Sequence, residues 1–165
     1  MRFGCCISSS SNATILSTAL LDYIEENVQS FLVPNQGEEI FAAKLAQAQA
    51  CGKPVSVACG FLPGGLPCVG PAVEHGRILE WAHTAFRRAA QIGIDRVVFG
   101  SGGARRIPDG FSPAAAREQF ITLLQDLAPI ARAYRIQVVI EPLNPAECNF
   151  INTVREGADI VRAAN

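Results

Sequence analysis

Short apolar runs recur along this chain with helical patterns between them, and that alternation restricts the fold more than any other feature. The runs are "RFGCCI" near residues 2–7, "DYIEENV" near 22–28, "PVSVACGF" near 54–61, "DRVVFGS" near 95–101 and "IQVVIEPL" near 136–143. Their length and bounding residues read as strands. The clearest helical pattern runs over 113–134, where Phe120, Leu123, Leu124, Leu127, Ile130 and Ala131 return at three- and four-residue spacing. Ser112 suits its N-cap and Pro113 its first turn. Further helices are predicted over 38–51, stopped by Gly52, and over 72–92. A last one begins at Thr153, where Thr153 and Glu156 have the spacing of a capping box.

Strands separated by helices imply a parallel sheet, because each parallel neighbour needs a crossover connection. The class is therefore α/β, as one domain over residues 1–165. Five strand-and-helix units in 165 residues average about 33 residues each, so eight would need about 264, close to the roughly 250 of a (β/α)₈ TIM-type barrel. The expectation is such a barrel, truncated after the fifth unit, with strands in consecutive order and helices on the outer face. The rival is a complete five-stranded doubly wound fold of flavodoxin type. Neither a G-x-G-x-x-G after the first strand nor a GxxxxGK[ST] anywhere supports that rival with a nucleotide fingerprint.

Composition removes several functional classes. The chain is 49% hydrophobic and 18% charged with a net charge of −1, which suits a packed core and gives no general field for phosphate backbones. A nucleic-acid partner is not expected. No apolar run reaches the roughly 18 residues of a spanning helix, and the N-terminus lacks the features of a signal peptide, so no membrane partner is expected either. Of the six cysteines, Cys5 and Cys6 are adjacent while Cys51, Cys59, Cys68 and Cys148 are scattered, without a C-x-x-C pair. Reduced thiols in a cytoplasmic protein are the expectation.

The chemistry gathers at the end of the fifth run. In "QVVIE" the side chains alternate, so Gln137, Val139 and Glu141 share one face and Val138 and Ile140 the other. If the sheet is a barrel, Glu141 points inward at the carboxyl end of strand five, the rim on which active sites of that architecture are built. A buried carboxylate there needs a pair, a hydrogen-bond partner or a metal. Glu25 is expected to point inward as well, leaving Glu26 solvated, and Cys59 is expected to share a face with Val55 and Val57 at the end of strand three. Gly102 and Gly103 after strand four allow tight turns, and Arg105 and Arg106 offer a site for a phosphate or carboxylate. His75 and His83, in the helix after strand three, read as surface or packing residues.

The segments "VVIEPLNPAECNFINT", "GSGGARRIPDGFS" and "FLPGGLPCVGP" together resemble the sugar-phosphate isomerase/epimerase group of xylose isomerase-like TIM barrels, which includes ketose 3-epimerases and hydroxypyruvate isomerases. The resemblance implies that Glu141 binds a divalent metal and takes part in proton transfer. It also implies that Glu147 contacts the hydroxyl end of the substrate and that Cys59 lines the substrate site. The substrate is then a small carbohydrate, and Glu25 and Arg106 join Glu147 and Cys59 as candidate substrate contacts. Oxygen and imidazole ligands suit Mn²⁺, Mg²⁺ or Co²⁺. The family completes its metal site with an aspartate, a histidine and a glutamate from later strands, which these five units do not contain. A metal-dependent isomerase or epimerase working through an enediolate is the leading expectation. A catalytically incomplete chain with at most a sugar-binding role is the alternative, and an endonuclease IV-like DNA-repair barrel is disfavoured by two histidines and the small net charge. Open strand edges would favour association, so a homo-oligomer is an expected partner.

Overall fold

The computed structural model describes residues 1–10 and 20–165. Five strands, β1 (Gly4–Cys6), β2 (Tyr23–Asn27), β3 (Val55–Cys59), β4 (Arg96–Phe99) and β5 (Gln137–Ile140), form one sheet in the order β1-β2-β3-β4-β5, every pair parallel. The consecutive order excludes the flavodoxin-type rival, whose first strand lies inside the sheet. Each strand is shorter than its apolar run. The fifth stops at Ile140 because Pro142 has no N–H to donate to the ladder, and β2 ends where Val28–Leu32 winds into a π-helical turn that the sequence did not announce.

The helices are α1 (Glu38–Ala50), α2 (His75–Ile92), the single turn α3 (Gly102–Arg105), α4 (Pro113–Ala133) and α5 (Val154–Ala164). Helix α2 starts at His75, three residues later than its pattern suggested, and α3 was not anticipated. The capping signals at the other starts act as the sequence implied. The Ser112 hydroxyl accepts from the Ala115 amide at 3.3 Å, and Thr153 with Glu156 closes a capping box over α5. The amides of Asn152 and Thr153 donate to the Glu156 carboxylate and hold its pKa below the usual range. Gly93, at φ 91°, ends α2 in the left-handed conformation that a side chain would resist.

The core lies between sheet and helices. Ile24, Val55, Ala58, Val97 and Phe99 pack in one cluster with Phe86 and Ala89 of α2 and with Phe120 and Leu123 of α4. Phe61, Phe99 and Phe120 extend it by edge-to-face contacts at 5.0 and 5.1 Å. The opposite, concave face carries Val57, Val98 and Val139, and Val139 is 36% exposed. Between β2 and β3 the register slips: Ile24 pairs with Val55 but Glu25 pairs with Val57, so Ser56 is an extra residue. This bulge overturns the expectation that Val55, Val57 and Cys59 share a face. Val55 joins the helix-side core, while Val57 and Cys59 keep the concave side with Glu25 and Asn27.

Candidate functional site

The carboxyl ends of β2 to β5 open into four loops, and side chains bonded to the neighbouring loop's backbone tie them together. Asn27 caps the π-turn, its Oδ1 accepting from the amide of Gln29 at 2.9 Å and of Ser30 at 3.2 Å. Gln29 then donates to the carbonyl oxygens of Gly60 and Leu62, and the Leu62 amide donates to the Ser101 hydroxyl at 2.9 Å. Gln119 takes both the amide and the carbonyl of Gly70, and Asn149 does the same to Ile107. Each such pair supplies donor and acceptor to backbone that leaves the sheet without ladder partners.

On this scaffold Glu141 directly follows β5, its amide donating to the Phe99 carbonyl at 3.3 Å. Its side chain is exposed, which corrects the expectation of a buried carboxylate: with five strands the sheet stays open, and among the described residues no further strand closes it. The carboxylate lies over Gly100. A Cβ built on Gly100 would fall 2.1 Å from Oε2 of Glu141, so the position accepts only a residue without a side chain while the carboxylate stays there. The "FGSGG" run contained this glycine, but nothing in it marked Gly100 over its neighbours.

The arginine pair separates. Arg105 is fully buried, with Nη1 donating to the Phe99 carbonyl at 3.1 Å and Nη2 to the Glu141 carbonyl at 2.9 Å. It therefore pins the end of β4 to the residue that carries the candidate carboxylate, and the reading of Arg105 as a ligand for an anion is overturned. Arg106 is exposed, and its Nη2 donates to the Glu147 carbonyl at 2.7 Å. Glu147 is exposed in the loop after β5, its backbone held against Gly102, where a Cβ would meet its oxygen at 3.3 Å. Glu141, Glu147 and Arg106 thus occupy one rim segment.

Glu25 and Cys59 stand farther along the concave face, each half-buried, and Cys6 of β1 joins them. The Sγ atoms of Cys6 and Cys59 lie 3.6 Å apart, across a sequence separation of 53 residues. Burial pushes the Cys59 thiol up, and hydrogen bonding with Glu25 and Cys6 adds to it. Glu26, expected in solvent, is 3% exposed, and its carboxylate accepts from the Ser9 amide. It lies on the helix side with Ile24, and the loop after β1 covers it. His83 is exposed and bonded to the Tyr134 hydroxyl at 3.0 Å, and His75 is the first residue of α2.

Around Glu141 the residues do not fit a complete site for a hard divalent cation. Mg²⁺ and its like take about six oxygen donors. Among the described residues the one group of three or more clustered His, Cys, Asp or Glu ligands is Cys6, Glu25 and Cys59, which excludes Glu141.

Comparison with known proteins places this geometry. Residues 18–165 match the model of a family described as the xylose isomerase-like TIM barrel. No curated protein matches the chain. Among solved structures, a D-psicose 3-epimerase from Clostridium cellulolyticum H10, solved with D-tagatose, superposes with a TM-score of 0.77 at 15% identity, covering 100% of this chain and 60% of its own. The 3-keto-D-glucoside 4-epimerase YcjR from E. coli superposes with a TM-score of 0.71 at 21% identity, over 99% of this chain and 64% of its own. An AP endonuclease, family 2, from Brucella melitensis gives 0.72 at 16% identity, over 100% and 65%. The chain thus spans about 60% of the length of the first of these structures. At such identities the likenesses show the fold: a parallel sheet with helices that corresponds to part of a (β/α)₈ barrel. By its match over residues 18–165, the chain belongs to the xylose isomerase-like TIM barrel family.

Proposed function

We propose that this chain carries the strand-five carboxylate of an isomerase or epimerase acting on a sugar, sugar phosphate or small hydroxy-keto acid. The observation that carries the reading is Glu141. Its carboxylate stands at the carboxyl end of β5 over a glycine, and none of the ion pairs among the described residues engages it. A carboxylate so placed is available to a ligand on the concave face. In the proposed step it takes the proton from a carbon next to a carbonyl, and the C–H electrons shift to give an enediolate. For isomerisation the same group then returns the proton to the neighbouring carbon on the same face, while epimerisation needs a second acid on the opposite face of the enediolate. Glu147 and Arg106 meet the substrate's hydroxyl or phosphate end, and Glu25 and Cys59 line the floor. Glu141 is also the position that would contribute to a site for Mn²⁺, Mg²⁺ or Co²⁺, a site that the described residues do not complete.

The test is proton exchange. The natural gene product, incubated in deuterated water with ketoses, sugar phosphates and hydroxy-keto acids, should place deuterium next to the carbonyl of its substrate. Glu141→Gln should lower that exchange by about a hundredfold or more, the scale of a lost acid–base group. Undiminished exchange in the variant would refute the assignment. A second reading is supported by the unfinished ligand set around Glu141 among the described residues: the polypeptide is catalytically incomplete and at most holds a sugar. Saturable sugar binding without any deuterium incorporation would favour it.

A further inference from the structure

The cluster of exposed Cys6 with half-buried Glu25 and Cys59 on the concave face supplies no group to that proton transfer and has a different chemistry. Cys6 ends β1, Glu25 lies beside it in register on β2, and Cys59 ends β3. Strands two apart in a sheet are separated by about 9.6 Å, twice the strand spacing. Side chains on a concave face lean together, and here the two thiols meet above β2. Their Sγ atoms are 3.6 Å apart, and the ligating atoms of all three residues lie within 4.8 Å of one another.

That spacing can be compared with two known geometries. A disulfide needs about 2.0 Å between its sulfurs. Two thiolates on a tetrahedral zinc, each about 2.3 Å from the metal, stand about 3.8 Å apart. The observed separation is close to the second. A carboxylate oxygen at about 2.0 Å from the same metal would lie about 3.5 Å from each sulfur, inside the 4.8 Å within which the three ligand atoms already sit. Two thiols and a carboxylate that crowd together repel one another once charged, and a divalent cation between them removes that repulsion.

We propose that Cys6, Glu25 and Cys59 form a binding site for a borderline-soft divalent cation of the Zn²⁺ type, with three protein ligands and a fourth position open to water or a ligand. Thiolate donors distinguish it from the oxygen chemistry at Glu141, and it does not depend on that residue. Binding replaces two S–H bonds by two S–metal bonds, so each Zn²⁺ bound releases two protons to solvent. No electron transfer is involved.

The test uses the reduced 165-residue chain. Titration with Zn²⁺ against a chromophoric chelator should give one tight site and release about two protons per metal. X-ray absorption of the zinc form should show two sulfur neighbours at about 2.3 Å with oxygen at about 2.0 Å. Co²⁺ in its place should give a thiolate charge-transfer band. Cys6→Ser and Cys59→Ser should each weaken binding by more than about a hundredfold, beyond the 10- to 100-fold loss typical of residues that only support a ligand. Cys5→Ser, one position away, and Glu141→Gln should leave it unchanged. Circular dichroism of each variant guards against misfolding, and the absorption spectrum of the unmutated chain stands apart from it. An all-oxygen coordination shell, loss of binding in Cys5→Ser, or no saturable Zn²⁺ binding by the reduced chain would each overturn the proposal.

Discussion

At the residue scale, what positions the candidate carboxylate is an absence of atoms. Gly100 leaves the space in which Oε2 of Glu141 sits, 2.1 Å from where a Cβ would stand. Its φ is not in the left-handed region, so alanine fits the backbone and the conflict falls on the end of a flexible side chain. Gly100→Ala should therefore change the melting temperature little, the loss of unfolded-state entropy offsetting the displaced side chain. In an active parent enzyme it should lower turnover by roughly a hundredfold, as a misplacement of about 1 Å in a reacting group does. Thermal melts and steady-state kinetics on the same variant would separate the two effects. A turnover equal to that of the unmutated protein would mean that the position of Glu141 over Gly100 is irrelevant to catalysis.

At the scale of elements, the start of α1 is held to α2 by charge. Arg88, 1% exposed, donates to the carbonyl oxygens of Leu32, Val33 and Gln36, and its Nη2 meets Oε1 of Glu38 at 2.7 Å. Arg87 meets the same oxygen at 2.6 Å. Hydrogen bonds from Arg87 and then Arg88 hold the Glu38 carboxyl down at about 2, against an ordinary value of 4.5. The folded value lies below the unfolded one, so the stabilisation is complete above pH 4.5 and is lost as pH falls toward 2. Denaturant unfolding between those limits should show stability falling with acid, and Glu38→Gln should flatten that dependence. Because Glu38 is exposed, salt should weaken the effect. An identical pH profile in the variant would assign the acid sensitivity to other carboxylates.

For the whole molecule the open sheet decides behaviour. The outer edge of β5 pairs with no strand among the described residues, and beside it runs a groove of about 480 Å³ lined by Leu124, Leu127, Ala131, Ile136, Val138 and Ile140. An apolar groove next to an unpaired edge favours association with another chain. Light scattering on the isolated polypeptide should show mass rising with concentration. A charge placed on the inner face by Val139→Lys should reduce it, since Val139 is already 36% exposed and accepts the change without loss of core. A monomer at every concentration would show that the edge is protected.

The sequence by itself determined what depends on near neighbours along the chain. Period-two and helical spacing set the strand and helix order, and Ser112, Thr153 and Glu156 set element ends, because capping is a contact within a few residues. The position of Glu141 at a strand end was legible for the same reason. Only the tertiary structure decided what depends on register and on distant partners. The extra residue at Ser56 turned Val55 to the helices, and the loop after β1 buried Glu26. Arg105 became a pin for two carbonyls while its neighbour Arg106 stayed exposed, and Cys6 met Cys59 across 53 residues. Such contacts leave no periodic trace, since each is fixed by where the sheet curves and where a neighbouring loop happens to pass.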